Sequence, residues 1–175
     1  MKNRRIFFVG CLMFLGIVAV WLFPMSQVQA AGRFIFSEQT YRVAKTTLLF
    51  QRLCSEILPA TPLGRHYLDL GYTHAPRLVR LLWYDETMAQ QTWHVIDLYS
   101  PVIEALLNHK EETVPITQEM VDELLIFLSG MENRADNDLK QIFQDERSKV
   151  PWQEMVGLTA DKAWVRIQEA ASVSP

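Results

Sequence analysis

Cysteine is nearly absent from this sequence: its 175 residues hold two, Cys11 and Cys54. Cys11 lies inside an N-terminal apolar run, so residues 31–175 keep a single thiol and can form no disulfide among themselves. A body of this size needs none, because a domain of about 150 residues buries roughly 68–70% of its unfolded surface. Glycine and proline are sparse, at 7 and 8, and they fall at breaks between helix-length segments. Strict alternation of apolar and polar residues is missing over any stretch long enough for a sheet, the nearest being the short arm Arg33-Phe34-Ile35-Phe36. A basic surplus is missing too. Residues 31–175 carry 14 basic against 20 acidic residues, a net charge of −6 that does not attract polyphosphate. With no basic stripe interleaved with aromatics, nucleic acid is not an expected partner.

What is present is globular: 49% hydrophobic and 21% charged residues exclude a disordered chain. The length fits one domain. Residues 1–5, MKNRR, form a basic head, and residues 6–23 run 18 positions without a charge before Pro24. Val28 and Ala30 place small residues where a signal peptidase would cut, between Ala30 and Ala31. The apolar run would span about 27 Å as a helix, close to a hydrocarbon core, so the alternative is an uncleaved membrane anchor. Either reading leaves the basic head cytoplasmic and sends residues 31–175 outside, to the periplasm or beyond. Phe8-Val9-Gly10-Cys11 loosely resembles a lipidation box, but it sits too early in the run to serve as one.

The body reads as all-α, a single bundle-like domain of seven or eight helices over residues 31–175. Ser37 caps a helix over 38–58 with Tyr41, Ala44, Leu48, Leu49, Leu53 and Ile57 on its apolar face. Thr61 and Pro62 open a second helix, Pro76 a third, and Asp85 a fourth that Pro101 kinks or restarts. Residues 110–116 form a connector. Thr117 caps the clearest amphipathic stripe, Met120, Val121, Leu124, Leu125, Phe127 and Leu128, with Gly130 as its stop. Leu139, Ile142, Phe143 and Val150 give another helix, Pro151 opens a short segment ended by Gly157, and Thr159 caps the last helix, with Trp164, Ile167 and Ala170 inward.

Thr61-Pro62-Leu63-Gly64-Arg65, Gly71-Tyr72-Thr73-His74-Ala75-Pro76 and the later Tyr99-Ser100-Pro101-Val102 resemble the CFI-box C-terminal domains of bacterial exported proteins. The likeness covers residues 31–107, and the box itself reads Arg33-Phe34-Ile35, with arginine in place of cysteine. The resemblance implies an exported helical module. It supplies no catalytic residues.

Chemistry-bearing motifs are few. His94, Asp97, Glu104 and His109 fall near one another, but without a paired-histidine spacing they predict a local surface pair of His94 and Asp97 rather than a zinc site. Asn133–Asp138 fails the calcium-loop pattern, because Gln141 and Arg147 stand where glycine and glutamate belong. Ser129-Gly130 lacks the upstream glycine of a nucleophile elbow, and Cys54 has no histidine near it in sequence. No metal or cofactor is expected. Aromatics and arginines concentrate between Gly64 and Tyr99, and such side chains are enriched at binding hot spots. Arg65, Tyr72, Arg77, Arg80, Trp83 and Trp93 are therefore the candidate partner-binding residues. The expected function is an exported, non-enzymatic module for a protein or envelope partner. The alternative is a carrier or sensor that holds a hydrophobic small molecule in a Trp/Tyr-lined groove.

Overall fold

A computed structural model describes residues 38–83, 85–108, 114–163 and 165–166, without the side chains of 38–43 and Trp83. The N-terminal segment, the Phe34 arm, the Ser37 cap, His109 and Trp164, Ile167 and Ala170 lie outside the described residues. Within them the chain is helical: α1 Glu38–Arg52, α2 Pro62–Trp83, α3 Glu86–Leu107, α4 Gln118–Arg134 and α5 Asn137–Ser148. A π-helical turn Leu53–Ile57 and a 3-10 turn Leu58–Ala60 carry α1 towards α2, and a 3-10 turn Trp152–Met155 follows α5. The described residues contain no strand, only one antiparallel bridge between Pro115 and Thr159.

Helix starts follow the capping side chains. Thr61 Oγ1 accepts from Gly64 N at 3.0 Å, Asp85 from Met88 N at 3.1 Å, Thr117 from Met120 N at 3.2 Å and Asp136 from Leu139 N at 3.1 Å. Each bond satisfies one amide that has no partner inside its helix, and losing such a cap costs typically ~1 kcal/mol.

Proline and glycine act differently from the sequence expectation. Pro76 opens no new helix: α2 runs through it for 22 residues, as α3 runs through Pro101. Both prolines are exposed, so water can take the carbonyl that each leaves without a donor. Gly130 does not stop α4, which continues to Arg134. An added Cβ there would meet Met88 Sδ at 3.1 Å, so this glycine admits close contact between α4 and α3. Gly157 does end its segment, with φ +80°.

The core is organised around α3, which meets α1, α2 and α4. It buries Met88, Val95, Ile96, Tyr99, Val102, Ile103, Leu106 and Leu107 among others. Tyr99 is fully buried, and its hydroxyl donates to Met120 O at 2.8 Å, tying α3 to the start of α4. The buried face of α1 is Thr46, Leu49 and Phe50, continued by Leu53 of the π-helical turn and turned from the expected one. Leu48 is 58% exposed and Ala44 is exposed as well. The stripe through Leu49 and Leu53 was legible, but Phe50 and not Leu48 completes it, because α1 lies against α3 on that side.

Candidate functional site

Because α2 is continuous, Arg65, Tyr72 and Arg80 share its exposed face within about a quarter turn, spread over about 22 Å of helix. The opposite face buries Tyr67, Ala75, Leu78 and Leu82. Tyr72 is 58% exposed, a large aromatic presented to solvent in the middle of the row. Asp69 and Pro76 stand between the arginines on the same side. Arg65 Nη1 donates to Pro59 O at 2.7 Å, which braces the guanidinium across the turn before α2.

The other candidates go elsewhere. Arg77 is half-buried and grips Asp136 with two prongs, Nε to Oδ2 at 3.0 Å and Nη2 to Oδ1, with Asp138 3.9 Å away. It is an inter-helix tie between α2 and the cap of α5. Burial, and then the Arg77 charge, hold the neighbouring His74 below its ordinary pKa. Trp93 on α3 is half-buried against the core. The side chain of Trp83 is outside the described residues.

Polar side chains also gather around Glu146 on α5. Tyr67 Oη donates to its Oε2 at 2.9 Å, Lys149 Nζ to its Oε1 at 2.7 Å, and His66 Nε2 lies 3.2 Å from Oε1. Burial alone would raise this carboxyl, but hydrogen bonds from Lys149, Tyr67 and His66 outweigh it and hold it below the usual carboxylate range. Beside it Arg147 Nη1 donates to Ser129 Oγ and Glu132 Oε1, both at 3.0 Å. The Glu146 carboxylate is committed to donors from two elements, an arrangement that fastens α5 rather than presenting a free base.

His94 Nε2 lies 3.5 Å from Glu123 Oε2 on α4, and Glu104 pairs with Lys45 of α1 at 2.6 Å, so both groups bridge helices. Among the described residues no three histidine, cysteine or acidic side chains converge as metal ligands would. Cys54 is half-buried in the π-helical turn, and burial pushes its thiol up to about 11, away from a reactive thiolate.

One surface feature was not anticipated. A groove of about 440 Å³ runs between α3 and α4, lined by Gln91, Leu125, Ile126, Ser129, Gly130, Asn133 and Arg134. Ile126 is 53% exposed at its edge. Gly130 lies in its lining, where an added Cβ would meet the buried Met88 Sδ at 3.1 Å and Gln91 Oε1 at 3.5 Å. Arg134 is bound to Asp85 and donates to Gly130 O at 3.2 Å, so its charge is already balanced. The sequence signal was Ile126 itself, an apolar residue on the polar side of the α4 stripe. The groove is open to solvent, which suits docking of a side chain better than enclosure of an apolar molecule.

No family model matches the chain, and neither the curated proteins nor the solved structures provide a match.

Proposed function

We propose that residues 31–175 form a non-enzymatic helical module that binds a protein or envelope component outside the cytoplasm, delivered there by residues 1–30. The observation that carries this reading is the exposed face of α2, where Tyr72 stands between Arg65 and Arg80 on a helix whose other face is core. A solvated tyrosine flanked by arginines is the composition of an interface hot spot. The rigid helix behind it keeps the three side chains at fixed spacing, so little ordering entropy is lost on contact. The resemblance of residues 31–107 to exported CFI-box domains points the same way, as does the basic head followed by an uncharged run of 18 residues.

The test joins location to contact. Cell fractionation should recover the body outside the inner membrane or attached to its outer face; recovery in the cytosol ends the export reading. A photo-crosslinking residue at position 69, on the same exposed face, should trap one discrete partner in intact cells. Tyr72→Ala and Arg80→Ala should lose that partner with an unchanged melting temperature. Unchanged capture by both variants would show that this face is not the binding surface.

A further inference from the structure

We propose that the groove between α3 and α4 seats a basic amphipathic helix of a partner protein, with one apolar side chain filling the hollow beside Ile126. The hollow, about 440 Å³ and open to solvent, has room for a large side chain. Its walls are apolar at Leu125 and Ile126 and polar at Gln91, Ser129 and Asn133. Its charge comes from the same helix face. Glu119, Asp122 and Glu123 precede Ile126 by seven, four and three residues, the spacings that return to one side of an α-helix. Glu119 and Asp122 are exposed and Glu123 is half-exposed. The cations nearby do not cancel this row. Arg134 is held by Asp85, and Arg147 by Glu132 and Ser129. His94 faces Glu123 across the helix pair, and Gln118 donates to Asp122 without changing its charge. The groove thus offers one apolar seat and a negative rail along α4, on a body whose net charge is −6. A helix with an apolar anchor and lysine or arginine on the adjoining turns matches both features, the helix-in-groove mode of recognition. Opposed charge along the rail speeds encounter and fixes the direction in which the helix lies. This surface shares no lining residue with the α2 face, so the two proposals stand or fall separately.

The experiment uses fluorescence anisotropy with a labelled Lys/Leu amphipathic peptide of about 14 residues, long enough to hold a helix once docked. Controls are a Glu/Leu peptide of the same pattern and a Lys/Ser peptide of the same charge. The full body should bind the Lys/Leu peptide and neither control. Ile126→Ser, a change at an exposed position, should weaken binding by about tenfold or more, and Glu119→Gln with Asp122→Asn should weaken it and flatten its salt dependence. Tyr72→Ala should change nothing. Equal binding by Ile126→Ser and the parent would reduce the association to diffuse attraction between an acidic protein and a cationic peptide, and would overturn the proposal. Self-association of the body that Ile126→Ser abolishes, seen by sedimentation, would overturn it in favour of a second copy of this chain.

Discussion

Replacing glycine by alanine should have unequal consequences at two positions, and the contrast tests the backbone assignment directly. In the interior of α4, Gly130→Ala removes a helix-weakening residue and gains about 0.8–1.0 kcal/mol of propensity. Against this, the new Cβ would sit 3.1 Å from Met88 Sδ, with Gln91 Oε1 and Met88 Cε at ordinary contact distances of 3.5 and 3.6 Å. Methionine has three rotatable bonds, and moving its sulfur a few tenths of an ångström strains a rotamer by about 0.5–1.5 kcal/mol at most. The net effect should lie between about 0.7 kcal/mol of destabilisation and about 0.5 kcal/mol of stabilisation, a change in Tm of no more than roughly 3 °C. Gly157→Ala meets no atom within 4 Å but must hold φ near +80°, which costs an L-residue about 1–2 kcal/mol. Urea denaturation of the two variants, with equal m-values, should show Gly157→Ala the less stable, by up to about 2.5 kcal/mol. If Gly130→Ala is as damaging as Gly157→Ala, Gly130 is a helix stop after all and the continuous α4 is wrong.

Leu124 is 1% exposed, so Leu124→Ala should cost about 2–5 kcal/mol in the same assay. The Glu146 carboxyl is held below its unfolded value, so its contribution is intact above the ordinary carboxylate range and is lost as pH falls through the lowered folded pKa. Glu146→Gln should therefore shorten the acid limb of the stability–pH profile while leaving its shape above neutrality unchanged. The Cys54 thiol, raised to about 11, should react with iodoacetamide at pH 8 much more slowly in the folded protein than in urea, and quantitative mass spectrometry reads the ratio.

Local chemistry was legible wherever a side chain acts on its own backbone. Thr61, Asp85 and Thr117 announce helix starts because their oxygens reach an amide only three residues on. Proline and glycine were over-read, since whether Pro76 or Gly130 breaks a helix depends on what lies beside it. Solvent beside Pro76 and Met88 beside Gly130 both favour continuation, and neither neighbour is local in sequence. The candidate surface was half legible for the same reason. Arg65, Tyr72 and Arg80 fall on one face once α2 is known to be unbroken, whereas the partner of Arg77 lies 59 residues away. The groove needed the mutual placement of α3 and α4, and only Ile126 hinted at it.

The short bridge beside α4 bears on the order in which the chain can finish folding. Ile116 N donates to Leu158 O at 2.9 Å, and Gly157 N donates to Ile116 O at 2.8 Å. The segment that launches α4 is thus completed by residues synthesised some forty positions later, after α5 and the Trp152 turn. During synthesis, α1, α2 and α3 emerge first and can assemble among themselves. The lead-in to α4 must wait with an open amide and an open carbonyl until Gly157 and Leu158 arrive. A chain ending at residue 150 would keep α3 and α5 against α4 yet leave that edge without its partners at Gly157 and Leu158.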